Sequence, residues 1–326
     1  MIADKKRELM KKHIMIKLNI IIAFVFAAMM IVSFSGCKKN KTEDSGIKVV
    51  TVSYVQYDFA RAVCGENADI AMLSKPGGDV HGFEPSLADI RKIAKADVFV
   101  YTGGESDGWV EKILESIDNL SVRCVKLCDS VELLCSDEKH EGHNHEHGGH
   151  HHFDEHIQSS PKNAVLMVEA ICNAVSEADY VHKNEFEANA AKYIAEIEKL
   201  DAELTILAGK AENKKLIVAD RFPFLYLARH YGFEYEALFA GCSQENDANP
   251  SVMMHMADEV KSSGIDTVFC TELSNGKMAD VICSETGAVK RVLHSCEGIS
   301  KEDFENGISY VQLMQQNISN LREAIL

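Results

Sequence analysis

Between residues 181 and 210 the chain carries one apolar stripe and little else. Phe186, Ala190, Tyr193, Ile197, Leu200 and Leu204 recur at spacings of four and three. That period places them on one face of a long helix. On either side the pattern changes to short β-branched runs alternating with helical ones. Before the stripe, strands are predicted at Ile47–Tyr54, Ile70–Leu73, Asp97–Tyr101 and Ser121–Leu127. The intervening helices are predicted at Tyr57–Val63, Ser86–Lys95 and Trp109–Ile117. After it, strands are predicted at Leu216–Ala219, Thr267–Thr271 and Val289–Leu293, with helices at Phe224–Tyr231, Lys277–Thr286 and Phe304–Ile325. Strands alternating with helices build a parallel sheet wrapped by helices. The expectation is therefore an α/β protein of two lobes, each a mainly parallel sheet flanked by helices, joined by a long connecting helix. A length of 326 residues agrees with two such units.

The second feature is a histidine tract. His140 to His156 reads HEGHNHEHGGHHHFDEH and holds eight of the fourteen histidines. Glycine and acidic residues fill the gaps, and no apolar period runs through it. A purification tag would sit at a terminus, whereas this tract lies between foldable segments. A flexible string of imidazoles gathers zinc-like ions. Strand ends supply further candidates, because ligands of α/β sheets bind at the carboxyl ends of strands. His81 follows a strand in the loop Lys75–Pro85, His156 closes the tract, and Asp220, Glu272 and His294 each follow a predicted strand. All are nitrogen or oxygen ligands suited to zinc. A net charge of −16 argues against nucleic acid as a partner.

The N-terminus reads as an address. Basic residues crowd Lys5–Lys17, and an apolar run, Ile20–Val32, is short for a bilayer span but suits a signal peptide. Phe34-Ser35-Gly36-Cys37 resembles a bacterial lipobox, with Phe34 in the place usually held by Leu. This predicts a signal peptide over 1–36 and a lipidated Cys37. Residues 37–46 form a polar tether. Nine cysteines then remain, an odd number without a C-x-x-C pair, so most are read as small buried apolar residues.

Three segments carry a family resemblance. GGDVHGFEPSLADI (Gly77–Ile90) resembles the metal-ligand loop of the cluster A-I solute-binding proteins, which serve zinc and manganese ABC uptake systems. HHHFDEHIQSSPKNAVLMVEAI (His150–Ile171) resembles their second ligand segment, with Glu155 and Gln158 in place of the usual Pro and Trp. LIVADRFPFLYLARHYGF (Leu216–Phe233) resembles the third, and Phe186–Leu204 the connecting helix. The family commonly has a strand-end His in the third segment. Aligning the strand puts Asp220 there. Aligning Tyr231-Gly232 puts Arg221 there, which cannot bind a cation, and Asp220 is preferred. For the fourth ligand His294 is preferred to Glu272, because imidazole suits zinc.

The resemblance implies an extracytoplasmic, lipid-anchored, monomeric receptor that binds Zn²⁺ as cargo, with Mn²⁺ the alternative, and docks on a membrane permease. It is not an enzyme in this reading. The implied metal ligands are His81, His156, Asp220 and His294. The implied lobes are 47–180, with a His-rich loop at 140–152, and 211–326, joined by 181–210. Two rivals stand beside it. His152-Phe153-Asp154-Glu155-His156 matches the H-x-x-E-H pattern of some zinc hydrolases, which requires a rigid helix. A metal-buffering surface adhesin would use the same lobes.

Overall fold

The computed structural model describes residues 46–117, 121–135, 153–240 and 249–326. The expected signal peptide, Cys37, the tether up to residue 45 and the tract 140–152 lie outside the described residues.

The first half opens with β1 (Ile47–Thr51), whose β-branched residues are buried on both faces, as a central parallel strand requires. α1 (Tyr54–Cys64) follows from a capping box in which Gln56 Oε1 accepts from the backbone N–H groups of Val52 and Ser53. The chain then passes through β2 (Ala68–Met72), α2 (Leu87–Ile93), β3 (Val98–Tyr101), α3 (Val110–Ser116) and β4 (Arg123–Lys126). The expected Ser86–Asp89 capping box starts α2. The strands pair in parallel in the order β2-β1-β3-β4. The order reverses between β1 and β3, the kind of point beyond whose strand ends α/β sheets bind ligands.

After the tract come α4 (Pro161–Ala178), with proline at its tolerated first position, and α5 (Lys183–Lys210). At 28 residues α5 is roughly 42 Å long. Its stripe is core: Phe186, Ala190, Ile197, Leu200 and Leu204 are buried, and Tyr193 packs against them. Each of the larger side chains is worth about 1.5–3 kcal/mol of burial. The helix lies against α1 and α4 of the first half and against the closing helix of the second.

The second half repeats the plan with β5 (Lys215–Phe222), α6 (Leu225–Tyr231), β6 (Glu234–Ala240), α7 (Pro250–Ser263), β7 (Thr267–Thr271), α8 (Lys277–Thr286) and β8 (Val289–Leu293). It ends with α9 (Lys301–Glu305) and α10 (Tyr310–Ile325). All its strands are parallel, in the order β6-β5-β7-β8. The expected α/β architecture is the observed one. β6 and α7 are additions to it. β5 runs past Asp220 to Phe222, with an irregular register between Val218 and Arg221. The expected closing helix is two, because Gly307 takes a left-handed φ of 68° and Ser309 caps a fresh start.

The described residues gather into one unit, and one apolar cluster runs from Val49 through the connecting helix to Leu321. Cys64, Cys128, Cys172, Cys270 and Cys296 are buried free thiols. No helix among the described residues is long and apolar enough to cross a membrane.

Candidate metal centre

Three segments meet at the seam between the sheets. The first is the Gly-rich loop after β2. Asp79 Oδ1 accepts the His81 backbone N–H at 3.0 Å, which folds the loop back on itself. The His81 ring sets Nδ1 2.8 Å from Ser106 Oγ, in the loop after β3. The second segment ends the tract. Asp154 Oδ1 accepts from both the backbone N–H and ring Nδ1 of His156, at 2.8 and 3.0 Å. A carboxylate at Nδ1 fixes the proton there and leaves the lone pair on Nε2, the orientation that metal-ligating histidines take from an outer-shell partner.

The third segment is the loop after β8. Cys296 sits at φ 63°, the one positive value at a non-glycine among the described residues, and turns the chain so that Glu297 faces the two imidazoles. Three hydrogen bonds from the first half hold this loop. The Tyr54 N–H donates to the Glu297 carbonyl at 3.1 Å and the Gly77 N–H to that of Ile299 at 2.7 Å, while Gln158 Nε2 donates to the Ser295 carbonyl at 3.4 Å.

The result is a triad of ligand atoms. His81 Nε2 lies 3.0 Å from His156 Nε2 and 3.1 Å from Glu297 Oε2, and His156 Nε2 lies 3.6 Å from the same oxygen. Among the described residues these three form the group of metal-type side chains whose donor atoms all fall within 4.8 Å of one another. His156 and Glu297 are buried and His81 is partly exposed. Burial alone would raise the Glu297 carboxyl, yet the His81 and His156 rings hold it at about 2. Reciprocally, the Glu297 carboxylate raises His81 above its ordinary value, against its own desolvation. A buried anion facing two imidazoles suits a divalent ion of borderline softness.

The cleft around the triad is also lined by Asp79, Arg221, Thr271 and Glu272. Of the expected ligands the structure brings His81 and His156 together, and does not bring Asp220 or His294 to them. Asp220 lies within β5. Its Oδ1 accepts the Arg221 N–H at 2.9 Å, and its Oδ2 accepts the Thr271 N–H and hydroxyl at 3.2 and 3.0 Å. It bonds β5 to the end of β7, and Arg221 is the neighbour that lines the cleft. His294 is buried behind the β8 loop. Its backbone pairs with the Asn317 side chain, and its Nδ1 accepts the Cys296 N–H at 2.9 Å. Its Nε2 is buried with no hydrogen-bond partner among the described residues, and burial lowers its pKa. Glu272 reaches the cleft, but Ser295 occupies both oxygens, at 3.0 and 2.6 Å. Glu297 is the residue that strand-end reasoning passed over. It stands three positions beyond His294, in the run His-Ser-Cys-Glu-Gly. An acid followed by glycine in a loop just past a strand was the available signal.

Two parallel α/β halves on a long shared helix, with a His–His–Glu cluster of metal-ligand type at their seam, define a two-lobed α/β protein with a candidate metal site. The chain belongs to the ZnuA family, described as the periplasmic component A of the zinc-uptake complex, whose family model matches residues 49–324. It is 32% identical over 306 residues to the zinc-binding lipoprotein AdcA of Streptococcus pneumoniae, covering 93% of this chain and 60% of that protein. The chain thus spans about three fifths of the length of the AdcA proteins it matches. It is 30% identical over 311 residues to the high-affinity zinc uptake system protein ZnuA of Bacillus subtilis, covering 93% and 97%. The crystal structure of the Zn(II)-bound ZnuA-like domain of S. pneumoniae AdcA superposes with a TM-score of 0.73 at 28% identity, over 86% of this chain and 99% of that one.

Proposed function

We propose that this protein is the extracytoplasmic substrate-binding receptor of a metal-ion ABC importer. It captures Zn²⁺ in the cleft between the halves and delivers it to a membrane permease. His81, His156 and Glu297 hold the ion, with one further position open to water or another donor. The observation that carries the reading is the convergence of two imidazole nitrogens and one carboxylate oxygen, from segments up to 216 positions apart, within 3.0–3.6 Å. Support comes from the zinc named in the AdcA and ZnuA relatives. Two nitrogens against one carboxylate favour zinc over manganese, a harder ion that prefers oxygen.

The anchor is lipid on Cys37, in keeping with the AdcA relatives called lipoproteins. The His-rich tract at 140–152 acts as a weak antenna for the ion. The protein performs no catalysis of its own. The H-x-x-E-H alternative needs a helix, and Phe153–His156 is not helical; Glu155 Oε1 is already engaged by the Ser106 N–H. Calorimetric titration with zinc tests the reading. One tight site per chain is expected, retained when 140–152 is deleted while the weak sites are lost. No tight site in the intact chain would overturn it. Slowed growth at trace zinc after deletion of the gene distinguishes a receptor from a buffer.

A further inference from the structure

We infer that Glu155 is a positioning residue of the metal centre, acting on His81 through Ser106. The inference rests on the metal-site reading above. Glu155 is 2% exposed and directly precedes His156 in the chain. Its carboxylate points across to the loop after β3, where Oε1 accepts the Ser106 N–H at 3.0 Å. The hydroxyl of that same serine lies 2.8 Å from His81 Nδ1. One continuous path therefore runs from the backbone beside one imidazole to the ring nitrogen of the other.

The surroundings are cut to receive this side chain. A Cβ at Gly104 would fall 2.2 Å from Glu155 Cγ and 2.3 Å from Cδ. Those separations are shorter than any real contact, so the loop admits Glu155 only because residue 104 is glycine. A buried carboxylate is costly unless its oxygens are satisfied. The path lets that cost set a geometry. Glu155 fixes the Ser106 backbone, and the serine hydroxyl fixes the ring of His81. His81 Nε2 is thereby aimed at the point that His156, held by Asp154, also faces. His156 has its outer-shell acid two residues upstream. His81 also has an acid two residues upstream, but Asp79 takes only its backbone N–H, and the His81 ring takes its support from Ser106 and the other ligand segment.

The test is a set of zinc affinities measured by competition with a chromophoric chelator, together with the visible spectrum of the Co²⁺-loaded protein. Loss of an outer-shell partner typically costs about 10–100-fold in metal affinity, and a loss of that size is expected for Glu155→Ala and for Ser106→Ala. The double variant is expected to lose no more than the larger single one, because both cut one path. Glu155→Gln keeps an oxygen for the Ser106 N–H. It is expected to restore affinity to within about threefold of the parent and to restore the cobalt spectrum. In a His81→Ala background, Glu155→Ala is expected to add nothing.

A role confined to holding the loop would lower the melting temperature without this pattern of coupling. Unchanged affinity in Glu155→Ala, or fully additive losses, would overturn the inference. If Glu155→Ala does not fold, Ser106→Ala alone decides, since it removes one hydroxyl from a partly exposed site. His81→Ala separates this inference from the reading beneath it. If that variant binds zinc as tightly as the parent, the metal-centre reading fails. If it loses zinc while Glu155→Ala does not, only the positioning role fails.

Discussion

Each half of the molecule places acids and histidines at the ends of parallel strands, but the two halves employ them differently. In the first, His81 and His156 have their Nδ1 atoms taken up by Ser106 and Asp154, and their Nε2 atoms face the seam. In the second, Asp220 accepts from Thr271, Glu272 from Ser295, and the His294 ring from the Cys296 N–H. Those groups hold their own half together. Among the metal-type side chains of the second half in the described residues, Glu297, further along a loop that the first half grips, is the one that reaches the imidazoles. A strand end thus offers a ligand position, and the side chain is free for an ion only if its own half has not already claimed its lone pairs.

The comparison is most directly broken at the triad. His81→Ala, His156→Ala and Glu297→Gln are each expected to weaken zinc binding beyond the roughly 10–100-fold cost of an outer-shell loss. His156→Ala is expected to be the most severe, because His156 is buried and directly anchored by Asp154. Competition titration reads the change. Tight zinc binding by Glu297→Gln together with its loss in His294→Ala would show that the second half contributes the other residue.

Acid sharpens the same contrast. Glu297 raises the His81 pKa, so in the empty site the imidazolium–carboxylate pair persists somewhat above the ordinary histidine range. The His81 contribution to apo stability is fully present below the unfolded histidine value and is lost as pH rises through the folded one. Glu297, held at about 2 against an ordinary 4.5, contributes above 4.5 and loses its contribution as pH falls through 2. Zinc must displace the proton on His81, since only neutral imidazole ligates. Zinc affinity is therefore expected to drop by about tenfold per pH unit once pH falls below the His81 value. Titration in two buffers of different ionisation heat should show up to one proton released per ion from this residue near neutrality. Affinity independent of pH between 5 and 7 would remove His81 from the ligand set.

Much of this was legible in the chain, for identifiable reasons. β7, α8 and β8 fall where their runs predict because each is bounded by a turn or a cap, as at Gly264, Gly276 and Gly287. The connecting helix was legible because its stripe never shifts face. β6 was not, because EYEALFA interleaves acids with apolar residues at the edge of the sheet, where one side meets water. α7 carried readable start signals in Asn249 and Pro250. For the site, sequence shows ligand type but not distance. Nothing in it brings His81 to His156, 75 positions on. Glu297 was hidden by a backbone event, the left-handed turn at Cys296, to which cysteine itself gives no clue.

The smallest expected effect on binding comes from Asp220, and it bears most closely on the strand-end argument. Asp220→Ala removes the acceptor for the Thr271 N–H and hydroxyl, and so a link between β5 and the end of β7. Hydrogen bonds to a charged group are worth about 1.5–3 kcal/mol each, so stability is expected to fall by an amount of that order. Zinc affinity is expected to stay within about threefold, because no atom of Asp220 belongs to the triad. Urea unfolding of the apo protein and zinc competition on the same preparation read the two quantities independently. The reverse pattern, unchanged stability with zinc binding lost, would make Asp220 a ligand after all. The carboxylate would then have to exchange Thr271 for the ion on loading, and the second half would hold its ligands in reserve where the first half holds them ready.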